Sequence, residues 1–238
     1  MDISLVGAGK AGTSFFLALS RAGHRVTLVH HDELHLLGPA DLIMLTVPDD
    51  RIAQVAAQLA PREGTVVAHA SGSLTLSVLA PHRRVASLHP LAALPSGELG
   101  ATRLVGATYC VAGDEVAAEV VRSLQGRVFT LRDDRRTAYH ATAVVAANHL
   151  VALMGHVAVL AQEAGLGLED FVPLARQALD DVVELGPHGA LTGPASRGDF
   201  ATIDAHLAAI PESQRSTYVA LANAAFELAE ERRSKSRA

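Results

Sequence analysis

Apolar and polar positions follow different periods in the two parts of the chain. Up to about residue 130, short runs rich in β-branched residues alternate with alanine- and leucine-rich segments of helical period. This alternation is typical of βαβ units that build a parallel sheet. The runs predict strands at 3–6, 25–30, 42–47, 66–69, 85–88, 109–112 and 127–131. The run at 42–47 is apolar at nearly every position, so we expect a strand covered on both faces.

The strand pattern stops beyond about residue 134. Helical periodicity then predicts helices at 135–164, 168–185, 200–209 and 212–233,. Gly165-Leu166-Gly167 and Gly186-Pro187 are typical of helix ends,. The charged run 230–237 predicts a frayed tail,. We therefore expect an α/β domain with a doubly wound sheet over 1–132 and an all-α domain over 133–238.

Composition excludes several classes of protein. With 49% hydrophobic and 19% charged residues, the 238-residue chain can bury a core and is not a disordered protein,. A net charge of -5 and 4% aromatic residues leave no basic or stacking surface for nucleic acid. Cys110 is the only cysteine, so an intramolecular disulfide or a cysteine-based zinc site is excluded,. No metal-ligand set is predicted.

The most apolar stretch, 141–160, contains Asn148, His149 and His156. A membrane span normally needs about 20 mostly apolar residues, so we expect a buried helix and no membrane partner. The chain begins with a charged residue and a strand pattern, not with the basic and apolar regions of a signal peptide. We expect a cytoplasmic protein.

A glycine motif follows the first predicted strand directly. In "VGAGKAGTS", Gly7, Gly9 and Gly12 have the GxGxxG spacing, and Lys10 and Ala11 complete the loop. In a Rossmann domain the first glycine makes a tight turn, the second admits a pyrophosphate and the third lets helix and strand pack closely. The motif predicts dinucleotide binding, and the alternative is an ordinary tight turn.

The end of the second strand bears on the choice of dinucleotide. An NAD-preferring site normally has an acidic residue here to bind the ribose 2′-hydroxyl, but "LVHHDE" places His30 and His31 at the tip. A 2′-phosphate is then not repelled, which favours NADP over NAD, with His31 and Arg51 as phosphate neighbours. Asp32 or Glu33 could reach back, so NAD stays the alternative.

Three more strands end in polar loops, "TVPDD", "HASGS" and "SLHPL". Ligands of a doubly wound sheet bind at the carboxyl ends of its strands. Val47, Pro48 and Ser71 are therefore candidate cofactor contacts, and His89 is a candidate proton donor or acceptor near the nicotinamide,. The alternatives are a helix start at Pro48, an ordinary turn at Ser71 and a structural histidine.

The long helix carries His140 and Asn148, eight residues apart. In an α-helix this spacing means about 12 Å along the axis and about 80° around it. The pair is suited to opposite ends of one small substrate. Alternatively, Asn148 is a hydrogen-bonded polar group of a helix bundle, and His140 is exposed near a helix start.

The segment "LTGPASRGD", at 191–199, interrupts the helical part of the chain. Its glycine-proline pair breaks a helix and its last glycine lets the backbone turn, which predicts a rigid loop. Arg197, held by Asp199, would clamp a substrate carboxylate or phosphate; the alternative is a structural Arg–Asp pair. We expect Thr202 to cap the next helix and His206 to hydrogen-bond to Asp199.

Together these segments resemble a known group of proteins. "GAGKAG", "ADLIMLTVPDDRI", "ASGS", "SLHPL", "YHATAVVAANHLVAL" and "LTGPASRGD" followed by His206 are similar to Rossmann-like NADP-dependent oxidoreductases with a C-terminal helical domain of unknown function. The helical domain resembles that of 6-phosphogluconate dehydrogenase, and ketopantoate reductase and pyrroline-5-carboxylate reductase are more distant relatives. The resemblance covers essentially the whole chain. It implies a homodimer through the C-terminal helices and a substrate between the two domains.

One departure from the superfamily concerns the proton donor. Its hydroxyacid dehydrogenases have a lysine and an asparagine one turn apart, whereas here Val144 precedes Asn148, and only Lys10 and Lys235 exist. The leading hypothesis is an NADP-dependent oxidoreductase that reduces a small anionic 2-oxo acid, ketopantoate-like, or an imine, with another donor. The alternatives are a non-catalytic NAD(P)-binding sensor or interaction protein and a structural homodimer.

Overall fold

The structure, a computed structural model, describes residues 1–235. The chain forms two compact units, Met1–Ala147 and Asn148–Ala238. The sequence places the domain boundary at 132–133, whereas the contacts group the first helix after the sheet with the sheet itself.

All seven predicted strands are present in one sheet. They are β1 Asp2–Val6, β2 Arg25–Val29, β3 Leu42–Leu45, β4 Val66–His69, β5 Val85–Pro90, β6 Thr108–Gly113 and β7 Arg127–Thr130, in the order β2-β1-β3-β4-β5-β6-β7. The sheet is mostly parallel, as predicted, and the exception is β6, which runs antiparallel to β5. The chain re-enters the sheet at the edge where β5 ends, and Pro90 is paired with Tyr109.

Helices cover both faces of the sheet, as a doubly wound fold requires. They are α1 Lys10–Arg21, α2 Asp49–Gln58, α3 Gly97–Leu104 and α4 Val116–Ser123, with 3₁₀ turns at Leu34–Leu36 and Leu76–Leu79. Along β3, Leu42 and Met44 pack into the core beneath α1, α3 and α4, while Ile43 and Leu45 pack into the core beneath α2. The prediction of a strand covered on both faces is confirmed.

The loops that follow β1 and β3 meet at the switch point of the sheet. β1 and β3 are neighbours, but the chain leaves β1 towards β2 on one side and leaves β3 towards β4 on the other. Loops that diverge in this way open a crevice at the carboxyl ends of the strands. The glycine motif and the "TVPDD" loop lie at this crevice.

A long helical segment follows the sheet. It consists of a 3₁₀ turn at Asp133–Arg135, α5 Arg136–Val144, a π-helical turn at Val145–His149 and α6 Leu150–Glu163. Among residues 1–235, Asp133–Glu163 alone is long and apolar enough to cross a membrane by length and composition, with a mean hydropathy of 1.8 in its most apolar window. The expected burial of 141–160 is wrong in the single chain, where Val151 is 73% exposed. The helix is apolar on several sides, and one chain does not cover them all.

The second unit continues with α7 Leu168–Ala190, α8 Gly193–Arg197, α9 Phe200–Ala209 and α10 Glu212–Lys235. The predicted helix ends are confirmed: Gly165 has φ 73°, and Gly186 interrupts α7 with φ 70°.

Two local predictions in the second unit are wrong. The segment 191–199 is not a loop throughout, because α8 starts at Gly193 with a proline in its first turn, a position that proline favours. The tail is helical as far as Lys235, since Arg232 donates to the carbonyls of His188 and Leu191, both at 3.3 Å. Residues 236–237 of that predicted tail lie outside the described residues.

Candidate active site

The glycine loop has a shape that only glycine permits at two of its positions. Gly7 has φ +112°, and a Cβ there would lie 2.9 Å from Cγ1 of Val47. A Cβ on Gly12 would lie 1.8 Å from the carbonyl oxygen of Gly7. The Thr46 hydroxyl donates to that same carbonyl at 2.9 Å. The tight turn and the close packing of helix on strand are therefore both built in.

Gly9 differs, because an added Cβ there would have no atom within 4 Å. The space beside its backbone is open. Gly9 is the N-cap of α1 and no side chain caps that helix, so the first-turn amides around Lys10 and Ala11 have no side-chain acceptor. Open space at a helix N-terminus fits the pyrophosphate of a dinucleotide. The residues present therefore fit the predicted cofactor.

The tip of β2 carries two imidazoles and one carboxylate. His30 and His31 are exposed just after the strand. Glu33 reaches back, and its Oε2 accepts a hydrogen bond from the His30 amide at 3.3 Å. Arg51, the other predicted phosphate neighbour, donates to the Gln54 side chain at 3.1 Å. The carboxylate is thus held against the backbone, while both imidazoles face solvent.

The loops after β3 and β4 are joined by hydrogen bonds. Pro48 is the N-cap of α2, and Oδ2 of the next residue, Asp49, accepts from the hydroxyls of Ser71 at 2.6 Å and Ser73 at 2.9 Å. The Ser71 oxygen also accepts from the amides of Ser73 and Leu74, each at 3.2 Å. The buried Ser71 hydroxyl is therefore fully used in fixing the two loops, and the structure adds Asp49 to the residues that shape the rim.

His89 lies at the carboxyl end of β5 and pairs with a residue that the sequence analysis missed. Its Nδ1 lies 2.6 Å from the hydroxyl of Tyr139 on α5. Burial, followed by the neighbouring His140, lowers the pKa of His89 to about 4, and burial raises the pKa of Tyr139 well above its ordinary value. Both groups are uncharged near neutral pH. In the tautomer of His89 that is protonated on Nε2, Nδ1 accepts a hydrogen bond from the phenol,.

His140 joins the same cluster. Its ring centroid lies 5.9 Å from that of His89, with the planes at 71°. Both rings close over Gly72, where a Cβ would lie 2.8 Å from Nε2 of His89 and 2.9 Å from Cδ2 of His140. The ring of Phe129 packs on Tyr139 with centroids 5.6 Å apart. Two of the predicted catalytic histidines are therefore brought together at the edge of the sheet.

Beneath this cluster lie two buried polar side chains that the sequence analysis also missed. Arg136 is 1% exposed; its Nε donates to Asp133 at 2.9 Å and its Nη2 to the Ser87 hydroxyl at 3.1 Å. Its Nη1 and both ring nitrogens of the fully buried His69 have no partner within residues 1–235. Burial, followed by the charge of Arg136, lowers the pKa of His69 to about 4, so this ring is neutral.

The candidates of the second unit form other contacts than those predicted. Asp199 caps α9, since its carboxylate accepts from the amide of Thr202 at 3.1 Å and from its hydroxyl at 2.7 Å. These hydrogen bonds lower the pKa of Asp199. The prediction that Thr202 is the cap is therefore wrong. His206 bonds to the hydroxyl of Tyr218 at 2.6 Å, so its predicted bond to Asp199 is wrong too. The cause is the short α8, which places Asp199 at the helix start.

Two candidates of the second unit are exposed. Arg197 is exposed, and the Asp199 carboxylate is bonded to Thr202, although the charge of Arg197 also helps to lower the pKa of Asp199. Asn148 lies in the π-helical turn, and its side chain makes no hydrogen bond within the described chain. The predicted 80° separation from His140 assumed an uninterrupted α-helix. The joint action of His140 and Asn148 on one substrate stays a prediction.

Comparison with known proteins gives the family. Residues 107–225 match the model of the Domain of unknown function (DUF2520), and residues 34–95 match a Rossmann-like domain. The chain belongs to the DUF2520 family. The family match includes Tyr139, Arg136 and His140, and the Rossmann-like match includes Ser71 and His89. The resemblance stated from the sequence is confirmed. No curated protein matches this DUF2520 protein.

Solved structures share the fold of the DUF2520 protein. BF3122 from Bacteroides fragilis, provisionally assigned as an NADP oxidoreductase, superposes with a TM-score of 0.83 and 23% identity over 95% of this chain and 98% of that one. An imine reductase from Streptomyces aurantiacus gives 0.62 and 17%, over 97% and 99%. Pyrroline carboxylate reductase from Plasmodium falciparum with NADP bound gives 0.61 and 10%, over 98% of each chain. The predicted fold class is confirmed, and the predicted cofactor and reaction class agree with these proteins.

Within residues 1–235 of the DUF2520 protein, no three histidine, cysteine, aspartate or glutamate side chains come close enough to hold a metal ion.

Proposed function

We propose that this protein is an NADP-dependent oxidoreductase that reduces a small carbonyl compound or imine. The observation that carries the proposal is the Tyr139–His89 pair, joined at 2.6 Å. It lies at the edge of the sheet that also holds the glycine loop and its open space beside Gly9. Reduction of a carbonyl needs a positioned proton donor. The superfamily's lysine is replaced by Val144, and the pair supplies a donor instead.

Bound NADPH would supply the hydride to the substrate carbon. The residues of this chain handle the proton. Nε2–H of His89 protonates the substrate oxygen, and the Tyr139 hydroxyl passes its proton to Nδ1 in the same step. The imidazole ends neutral, and the negative charge rests on the phenol oxygen until solvent returns a proton. An imine that is already protonated needs no such transfer, so the pair matters most for carbonyl substrates.

The substrate that we favour is a 2-oxo acid, ketopantoate-like, which carries a carboxylate. Arg197 is the candidate for binding that anion, since it is exposed and the hydrogen bonds of the Asp199 carboxylate go to Thr202. Asp199 then contributes indirectly, by starting α9 immediately after the arginine's helix. His140 and Asn148 are proposed to contact the substrate. The position of the substrate between the two domains stays a prediction.

The NADP preference rests on the tip of β2. His30 and His31 face solvent there, and the nearby carboxylate of Glu33 is bonded to the backbone. An uncharged or cationic imidazole tolerates a 2′-phosphate, which a free carboxylate would repel. NAD remains the alternative cofactor, and the nucleotide titration below decides between them.

A homodimer through the C-terminal helices is part of the proposal, together with a cytoplasmic location. Large apolar side chains of the second unit are exposed to an extent that is unusual for a monomer. They are Val151, Val159, Leu166, Leu174, Leu179, Val182, Val183, Leu185, Phe200, Val219 and Leu221. A groove of about 720 Å³ lined by residues of α6 and α10 lies on the same unit. A second copy of the chain would cover these faces.

The dimer is tested by light scattering of a charged variant. Val183 is 88% exposed in the single chain, so Val183→Glu should fold but run as a monomer if a second copy covers it. Leu36→Glu is the matched control, because Leu36 is 57% exposed on the first unit. A wild-type monomer, or a Val183→Glu dimer as stable as the wild type, would contradict the proposal.

The reductase proposal is tested by nucleotide titration followed by turnover. NADPH and NADH binding is measured first, and decay of reduced-nicotinamide absorbance is then followed with a panel of small 2-oxo acids, ketones and cyclic imines. Tyr139→Phe should lower kcat for a carbonyl substrate by about 10²-fold or more with little change in NADPH affinity. Tyr218→Phe is the matched control, since Tyr218 also bonds a histidine at 2.6 Å but on the second unit. Tight NADPH binding with no turnover across the panel would favour the non-catalytic sensor.

A further inference from the structure

Arg136 is a buried cation with one unused donor. The residue is 1% exposed, and its Nη1 has no hydrogen-bond partner within the described chain. Its ion-pair partner is Asp133, whose side chain is 62% exposed and which binds Nε alone. A buried donor without an acceptor costs free energy. A guanidinium placed only for structure would have its donors satisfied.

The position of Arg136 connects it to the proton donor of the proposed reaction. Arg136 and Tyr139 are three residues apart on α5, a spacing that places side chains side by side on one helix face. Nη2 of Arg136 binds the hydroxyl of Ser87. Ser87 precedes His89 by two positions on β5, so both side chains point to the same face of the sheet. Both the spacing on α5 and the hydrogen bond to β5 therefore place the guanidinium beside the Tyr139–His89 pair.

We propose that Arg136 is a positioning residue that stabilises the negative charge left on Tyr139 when the Tyr139–His89 pair gives up its proton. The inference rests on the proposed function, and it concerns the state of the pair after proton transfer. The fixed positive charge needs no reorganisation at that moment. Nη1 of Arg136 has no hydrogen-bond partner within the described chain, so this donor is not committed to another group.

The groups around Tyr139 act on its phenol in opposite directions: after burial, Cys110 raises its pKa and Arg136 lowers it. They come from β4, β5, β6 and α5, and they are His69, His89, Cys110, His140, Arg136 and, at the start of the helix, Asp133. Burial lowers the pKa of both His69 and His89 and raises the pKa of the Cys110 thiol. These three are uncharged near neutral pH. Asp49 also acts on His69 and His89, from the rim. With Cys110 protonated, Arg136 is the group that lowers the pKa of Tyr139, and Asp133 is the carboxylate paired with that cation.

This arrangement allows two perturbations of opposite sign. Arg136→Met removes the cation and should make the Tyr139 phenol harder to ionise. Asp133→Asn keeps the cation but removes its counter-charge, and should make the phenol easier to ionise. Asp133 is largely exposed, and the Oδ1 of asparagine can still accept the hydrogen bond from Nε of Arg136,. Asp134→Asn is the matched control, because Asp134 is the next residue and pairs with Arg132 instead.

The experiment measures the ionisation of Tyr139 directly, without turnover. Difluorotyrosine, a more acidic phenol, is incorporated at position 139 of the full-length protein, and its fluorine NMR signal is titrated with pH. We expect the midpoint to rise by about one pH unit in Arg136→Met, to fall in Asp133→Asn and to stay unchanged in Asp134→Asn. Arg136→Lys should restore part of the wild-type midpoint.

Unchanged midpoints in both Arg136→Met and Asp133→Asn would overturn the inference, as would shifts of the reverse sign. If Arg136→Met does not fold, as judged by circular dichroism, the exposed Asp133→Asn variant decides alone. Because the titration needs no substrate, these outcomes are separate from the failure of the reductase proposal. An enzyme without turnover could still show the shifts, and an active enzyme could lack them.

Discussion

Gly72 lies beneath two histidine rings, and an alanine at this position would collide with both. The added Cβ would be 2.8 Å from Cε1 and Nε2 of His89 and 2.9 Å from Cδ2 of His140, whereas ordinary contacts are 3.4–4 Å. Both rings would have to move away by half an ångström or more. Overpacking of this kind costs about 1–3 kcal/mol, which lowers Tm by roughly 2–4 °C per kcal/mol for a chain of this size.

The same movement would weaken the hydrogen bond from Tyr139 to His89. That bond is 2.6 Å long, and a displaced imidazole cannot keep both its length and its angle. We therefore expect Gly72→Ala to lower turnover as well as stability. Chemical denaturation and steady-state kinetics measure the two effects. Gly38→Ala is the control, since a Cβ on Gly38 has no atom within 4 Å. Wild-type stability and turnover in Gly72→Ala would refute the described packing of the two rings.

Four more predictions concern stability, substrate binding and cofactor choice. The pKa values of His69 and His89 are about 4, below the ordinary value of 6.5, so the unfolded chain binds more protons than the folded one between these two pH values. The free energy of unfolding is therefore highest above pH 6.5. It falls between pH 6.5 and pH 4 by about 1.4 kcal/mol per pH unit for each histidine. Urea titrations at several pH values should show a shallower fall in His89→Gln. Asp199→Ala removes the α9 cap and should cost about 1 kcal/mol, whereas Arg197→Ala should leave thermal stability unchanged and raise KM for an anionic substrate. His31→Asp should weaken NADPH binding relative to NADH in a nucleotide titration, and an unchanged ratio would contradict the role of the β2 tip.

The strands were predictable from sequence because each is a local pattern. The unbroken apolar run of β3 indicates one hydrophobic core on each face of the strand,. The direction of β6 was not predictable, because the same pattern of apolar residues suits a strand that runs parallel or antiparallel to its neighbour. The short α8 was missed because its glycine and proline look like helix breakers, although proline is favoured in a first turn,.

The residues of the candidate site at strand ends were predictable from sequence. Those that join the site only through tertiary packing were not. The glycine loop and His89 follow strands directly, so their shared edge could be inferred. Tyr139 and Arg136 lie in a charged segment that resembles an exposed helix start. Only the packing of α5 on β5 shows that one is bonded to a histidine and the other is buried. Their spacing of three residues was the available signal.

The reversed direction of β6 determines which part of a helix reaches the site. Helices α1 and α2 follow strands that end at the carboxyl edge, so they meet that edge with their first-turn amides. After β6 and β7 run the other way, α5 travels along β5, with Arg136 at Ser87 and Tyr139 at His89. At this edge α5 therefore presents side chains, whereas α1 and α2 present backbone amides. A single change of strand direction thus gives the sheet one half whose helix ends attract anions and another half whose side chains can exchange protons.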